Sequence, residues 1–220
     1  MAWYRQRVTI DEARASQTTE PETDHRLYPT LLGASWDALH PAVQLAHTVP
    51  GEAHASGTFR VGRGPGFLTG WLLDLARVPP SSPAIDVRLA IQHRGLSERW
   101  HRAFDGAPLV TYQSAAPGGV LAERVGPLEF RFRLAVRDGS LLYRQVGFAI
   151  CLGPLRIPLP EWAAITIACR EGAAPPVDPP PMAEPRAAPL DRTTVDVRVT
   201  APTGTLLFAY RGTVRWGVQP

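Results

Sequence analysis

The chain has 220 residues, 45% of them hydrophobic, and a formal net charge of +3. This length fits one domain and can bury a sizeable core. Its 23 basic residues are all arginine and are spread through the chain. The missing basic patch argues against a nucleic-acid partner, and the lack of a long apolar run argues against a membrane span. The charged segment Met1 to Ile10 does not look like a signal peptide, so we expect a cytoplasmic protein.

Before the domain, residues 11–26 are rich in Asp, Glu, Thr and Ser and poor in apolar side chains. This composition predicts a solvated, flexible N-terminal arm over residues 1–26 and a single β-rich domain over residues 27–216. Apolar residues at helical spacing then predict two short helices, one over 36–47 capped by Ser35 and one over 66–77. Pro41 is compatible with the first helix only if that helix begins late or breaks there.

A switch to alternating apolar and polar residues predicts an antiparallel β-structure. The expected fold is mainly β: a curved antiparallel sheet or incomplete barrel, with the two short helices packed at one end. Between the last strands, residues 172–192 are rich in Pro and Ala, which predicts a long surface insertion. The strands are expected at 57–62, 85–92, 100–104, 109–113, 119–125, 128–137, 140–150, 162–170, 193–200 and 204–216.

The clearest pattern runs from Gly126 to Tyr143. Apolar and polar residues alternate, and Asp138-Gly139 then marks a tight hairpin turn. One face of the first strand is apolar and the other is rich in arginine. The apolar face carries Leu128, Phe130, Phe132, Leu134 and Val136, which we interpret as the wall of a cavity.

Signs of a cofactor or metal are weak. The turn Gly62-Arg63-Gly64-Pro65-Gly66 resembles a dinucleotide-binding loop, but Pro65 lacks an amide that would face a pyrophosphate. Cys151 and Cys169 have no metal-ligand spacing and are expected to be free, buried thiols. The histidines form no metal-binding motif either. We therefore expect no cofactor and no metal.

Three residues are candidates for catalysis. Glu123 and Arg124 are neighbours on one strand, so only one of them can face a cavity. An inward Glu123 would suit proton transfer, whereas an inward Arg124 would hold a carboxylate or enolate oxygen. An ion pair between Glu123 and Arg131 or Arg133 is the alternative. Tyr143 is the third candidate, because a phenol in an apolar pocket needs a partner and can orient a ligand.

The repeated aromatic residues supply the candidate ligand-binding set. Most aromatics of the strands are expected to pack in the core, and some are expected to contact a guest molecule. The candidates for ligand binding are Trp100, Tyr112, Phe130, Phe132 and Tyr210.

The order of several motifs resembles domain-of-unknown-function family 4166, over roughly residues 27 to 216. The motifs are Leu27-Tyr28-Pro29-x-Leu31-Leu32-Gly33, Trp36-Asp37-x-Leu39, Gly57-x-Phe59-x-Val61-x-Arg63-Gly64, Glu98-Arg99-Trp100-x-Arg102-x-Phe104, Glu123-Arg124-x-Gly126-Pro127-Leu128 and Tyr210-Arg211-Gly212. The resemblance implies no particular activity. It implies a module often placed behind an NAD(P)-binding domain, whereas we expect this chain to stand alone, and a short acidic turn where this chain has 172–192.

These patterns lead to three hypotheses about function. The first is binding of a hydrophobic small molecule in a β-sheet cavity, with cofactor-independent cyclisation or isomerisation of a biosynthetic intermediate such as a polyketide or terpenoid. The second, which rests on the resemblance, is a non-catalytic accessory module that docks on an NAD(P)-dependent oxidoreductase partner. The third is a structural homodimer formed through sheet edges.

Overall fold

The fold was analysed in a computed structural model, which describes residues 26–49, 51–66, 70, 73–74, 78–175 and 191–217. Three predicted features lie mostly outside the described residues: the N-terminal arm 1–26, the helix 66–77 and the Pro-rich insertion 172–192. Within the described part of the chain, no helix combines the length and apolar character needed to cross a membrane.

The described chain begins with short helical segments and continues almost entirely as β-strands. The helices are α1 (Leu27–Leu32), a 3-10 helix (Gly33–Ala38), α2 (Pro41–Ala46) and a second 3-10 helix (Glu161–Ala163). The strands are β1 (Glu52–Arg63), β2 (Ser82–Arg94), β3 (Ser97–Phe104), β4 (Ala107–Ala116), β5 (Val120–Val125), β6 (Leu128–Arg137), β7 (Ser140–Leu152), β8 (Leu155–Leu159), β9 (Thr166–Ala173), β10 (Arg192–Thr200) and β11 (Leu206–Gly217).

Ten of these strands close into an antiparallel barrel in the order β6-β5-β4-β3-β2-β1-β11-β10-β9-β7, and β7 pairs again with β6. The prediction of a mainly antiparallel β-fold is confirmed. The prediction of an incomplete barrel is wrong, because the barrel is closed. Closure depends on β7, whose residues Leu141–Arg144 pair with β9 while its other edge pairs with β6. Alternation along single strands carries no information about which strands meet, so it could not reveal this closure.

The hairpin over 126–143 forms as its pattern predicts. Asp138 and Gly139 have φ angles of 50° and 70°, and Arg137 pairs with Ser140 across the two-residue turn. This geometry is the mirror-image turn that matches the twist of the flanking strands. A bulge at Val146 on β7 then shifts the register with β6. The alternation on β7 changes face there, so that Tyr143 and Phe148 both reach the same apolar cluster.

Strand β8 was not predicted, and its sequence explains why. Among the described strands it pairs only with β7. It also contains Pro158, which has no backbone N–H to donate to a second neighbouring strand. The predicted strand 162–170 correspondingly begins later, at Thr166, after the short 3-10 helix.

The first helices close one end of the barrel. The helix predicted over 36–47 breaks before Pro41 into a 3-10 piece, Gly33–Ala38, and α2, because Pro41 begins α2 and His40 caps it. The Nδ1 atom of His40 accepts from the Ala42 amide at 3.1 Å. The His40 amide also donates to the Gly139 carbonyl at 2.9 Å, which ties this helical plug, residues 27–47, to the hairpin turn.

Candidate functional site

The barrel interior contains a partly open cavity of about 740 Å³. One end is closed by the helical plug. Residues from the opposite end, among them Pro108, Pro127 and Leu207, also line the cavity. Its apolar lining is Leu73, Val78, Pro108, Leu109, Val110, Val125, Pro127, Leu128, Phe130, Phe132, Ile165, Ile167, Val197, Val199, Leu207 and Phe208. Polar groups are fewer and lie on the strands' inward positions: Arg102, Thr111, Gln113, Glu123, Tyr143, Cys169, Glu171 and Tyr210.

The plug end of the cavity has a hydrogen-bonded polar floor. The Tyr28 hydroxyl, on α1, donates to Gln113 Oε1 at 2.7 Å and lies 2.9 Å from the Tyr143 hydroxyl. Tyr143 in turn donates to Glu171 Oε1 at 2.8 Å. Burial, reinforced by nearby carboxylates including Glu171, raises the pKa of both phenols well above the usual value. Both hydroxyls are therefore neutral donors at neutral pH.

His47, at the end of α2, lies fully buried behind this floor. Its Nε2 atom is 3.3 Å from Glu171 Oε2, and its Nδ1 atom is 3.8 Å from Glu98 Oε2. Burial disfavours the charged imidazole, but the hydrogen bond to Glu171 and the nearby negative charge of Glu98 outweigh burial and raise the pKa of His47 to about 9. An imidazolium thus lies between two carboxylates and links the plug to β3 and β9.

Glu98 lies near Nδ1 of His47 and has two further partners, Trp100 and His93. It accepts from Trp100 Nε1 at 2.9 Å and lies 3.1 Å from His93 Nδ1. Burial alone would raise its pKa, but His47 and His93 outweigh burial and lower the pKa of Glu98 to about 2. The carboxylate is therefore charged across the physiological range.

These two shifts predict how stability depends on pH. His47 is charged more readily when folded, so its contribution is complete below pH 6.5 and is lost as the pH rises through about 9. The contribution of Glu98 is present above pH 4.5 and is lost as the pH falls through about 2. Urea unfolding at a series of pH values should give its maximum between these limits. His47→Gln should remove the alkaline decline, whereas His54→Gln, at a half-exposed position, should keep it. A wild-type stability that stays flat into the alkaline range would contradict this assignment.

A second polar group lies further along the cavity wall. Arg102 Nη1 donates to Thr111 Oγ1 at 3.0 Å, and the guanidinium lies over the Trp100 ring at 4.7 Å from its centroid. Arg102 Nη2 is 3.9 Å from Glu123 Oε1. Burial opposes the charge of Arg102, but Tyr210 and Glu123 raise its pKa above the usual value. Burial also raises the pKa of Cys169 and Tyr210, so both remain protonated.

The structure places most, but not all, of the predicted site residues at the cavity. Those that line it are Glu123, Tyr143, Phe130, Phe132 and Tyr210. Trp100 borders a small adjoining space of about 40 Å³ that Arg102, Glu171 and Tyr210 also line. Their roles in binding or catalysis stay predictions.

Two predicted residues point away from the interior. Arg124 is exposed, and Tyr112 is 52% exposed with Arg99 over its ring. The predicted ion pair of Glu123 with Arg131 or Arg133 is also absent among the described contacts. Glu123 instead faces Arg102, and Arg131 pairs with Glu129 at 2.9 Å.

Four important residues were not singled out from the sequence: His47, Glu98, Arg102 and Glu171. A signal for two of them exists in β3, where Glu98 and Arg102 share the inward face with Trp100 and Phe104. A charged residue on an otherwise apolar strand face indicates a partner or a site. No group of three or more His, Cys, Asp or Glu in the described ranges is arranged to hold a metal ion.

Comparison with known proteins gives one family match. The pattern of a family described as "Domain of unknown function (DUF4166)" matches residues 39–179, a narrower stretch than the motif resemblance. No curated protein matches the chain. Among solved structures, the "Crystal Structure of Rv2717c from M. tuberculosis" is similar with a TM-score of 0.38 and 12% identity, covering 82% of this chain and 99% of that chain.

Proposed function

The chain belongs to the family described as Domain of unknown function (DUF4166), and from the interior of its barrel we infer that it binds a largely apolar small molecule. The observation that carries this proposal is the cavity of about 740 Å³, whose lining is mostly aliphatic and aromatic with a few polar groups. A concave, mainly apolar space with a small number of convergent polar side chains is the usual form of a small-molecule site.

Water in an apolar cavity lacks hydrogen-bond partners, and a guest that replaces it gains about 25 cal/mol for each Å² of apolar surface buried. The aromatic rings of Phe130, Phe132 and Phe208 offer extended apolar contact. The polar floor at Tyr143 and Glu171 would then determine the orientation of the bound guest.

The finer proposal is chemical. The guest would be a biosynthetic intermediate such as a polyketide or terpenoid, and the barrel would isomerise or cyclise it without a cofactor. Glu123 would accept a proton, the hydroxyl oxygen of Tyr143 would help to orient the guest, and the walls would fold the substrate into a reactive geometry. Arg124, which is exposed, has no part in this proposal.

Titration with the neutral apolar dye Nile red tests the binding proposal. We expect its emission to rise to saturation at one dye per protein and to fall again when a long-chain ketone or alcohol competes. A linear, non-saturable rise in emission would indicate only surface adsorption and would contradict the proposal.

One observation favours the accessory-module alternative. Trp162, just after β8, is 80% exposed, and Leu152 and Leu155 in the β7–β8 hairpin are 58% and 57% exposed. Exposed apolar patches often mark a protein interface. Co-purification of an NAD(P)-dependent oxidoreductase with the wild type but not with Trp162→Ser would favour docking. Equal recovery with both proteins, or with neither, would count against it.

A further inference from the structure

Arg102 has hydrogen-bonding capacity that the protein itself leaves unused. A guanidinium carries five N–H donors. Among the described contacts Arg102 makes one hydrogen bond, to Thr111, and its 3.9 Å separation from Glu123 is too long for another. In the described part of the chain, Nε of Arg99 is buried from solvent and has no hydrogen-bond partner. No nitrogen of Arg102 is buried and unpaired in this way. The spare donors of Arg102 therefore reach open volume, and Arg102 lines the cavity.

Glu123 has a matching acceptor capacity. Its side chain is 15% exposed and lines the cavity, and its contact with Arg102 is the one polar contact found for its carboxylate in the described ranges. A buried carboxylate normally accepts several hydrogen bonds, because desolvation is otherwise costly. A cation and an anion thus lie side by side on the wall of the same cavity, each with hydrogen-bonding capacity to spare.

The charge of the cavity wall limits the ligand that can use this pair. Two carboxylates, Glu123 and Glu171, line the cavity, whereas Arg102 is the single cation among its described lining residues. The positive charge of His47 is already shared between Glu98 and Glu171. An anionic head group would meet two carboxylates, so a neutral group that accepts from Arg102 fits better.

We propose that Arg102 and Glu123 form the head-group site for a neutral ketone with an otherwise apolar body, and that they enolise it. This inference rests on the proposed binding function. Arg102 donates to the carbonyl oxygen, and the Glu123 carboxylate takes a proton from the adjacent carbon. The electron pair of that C–H bond forms a C=C bond, and the oxygen becomes an enolate held by Arg102. The Glu123 carboxyl then returns a proton to the same carbon, which restores the ketone. In a β,γ-unsaturated ketone it can instead protonate the far carbon of the dienolate, which moves the double bond into conjugation without any oxidant or reductant.

The substrate class is tested with three probes of equal carbon number: methyl nonyl ketone, undecane and undecanoate. We expect the ketone to displace Nile red at lower concentration than either of the other two. If undecane or undecanoate displaces the dye as well as the ketone does, the head-group site is wrong while the binding function stands. If none of the three displaces the dye, both proposals fail.

Enolisation is tested by following methyl nonyl ketone by NMR in deuterium oxide. The protein should exchange the hydrogens next to the carbonyl faster than buffer. Glu123→Gln should slow exchange by about 100-fold or more while retaining ketone binding. Arg102→Gln should slow it by a similar factor and weaken binding as well. Arg124→Gln, at the neighbouring outward position, is the matched control and should behave as wild type. Bound ketone that exchanges at the buffer rate, or equal rates for Glu123→Gln and wild type, would overturn the proposal.

Discussion

Replacing His47 by alanine is expected to lower the free energy of unfolding by about 3–5 kcal/mol, as for other buried ion pairs that lose one partner. The imidazole is fully buried, and the Glu98 and Glu171 side chains beside it are only 1% and 9% exposed. Without His47, both carboxylates would lose a buried partner. The Tyr28 ring, whose centroid lies 3.7 Å from that of His47, would also face an empty space.

Urea unfolding of His47→Ala at pH 6 measures this loss. His54→Ala is the control, because the His54 side chain is 32% exposed on β1 and its only described ion pair is a 3.7 Å contact with Glu52. The control should change stability by no more than about 0.5 kcal/mol. A loss below about 1 kcal/mol for His47→Ala would mean that His47 does not hold the plug.

The second large effect is expected from filling the cavity. Ile167 on β9 lines it, so Ile167→Trp would place an indole in the volume assigned to the guest. Binding of Nile red and of methyl nonyl ketone should weaken at least tenfold. Because the added ring enters open space, the loss of stability should be smaller than the roughly 1–3 kcal/mol typical of overpacking a filled core.

Ala168→Trp is the matched control for this substitution. Ala168 is the next residue along β9 and is exposed on the outer face, so its indole would not enter the cavity. The control should bind the dye as wild type does. Unchanged binding by a folded Ile167→Trp would place the bound dye somewhere other than the barrel interior.

The strands were largely predictable because each inward face repeats at period two. The apolar face of β6 and the Asp138-Gly139 turn were read directly from the alternation, and both form as expected. Closure of the barrel was not predictable, since it depends on which strands meet at β7. The break of the helix at Pro41 was predictable, because proline has no backbone N–H to donate within a helix.

The candidate site was predictable only where an apolar pattern surrounded it. Phe130, Phe132 and Tyr143 were found because the strands around them alternate clearly. His47 was not, because nothing in a short helix end indicates that Glu98 and Glu171, from strands distant in sequence, will meet there. Glu123 was found but paired with the wrong arginine, since its partner Arg102 lies on β3, separated from β5 by β4.

Native mass spectrometry of freshly purified protein can show whether the barrel holds a small apolar guest. We expect the mass of the chain plus one small molecule, or such a complex after incubation with methyl nonyl ketone. Denaturation should release the guest, and Ile167→Trp should lack it. The mass of the bare chain under both conditions for the wild type would contradict the claim.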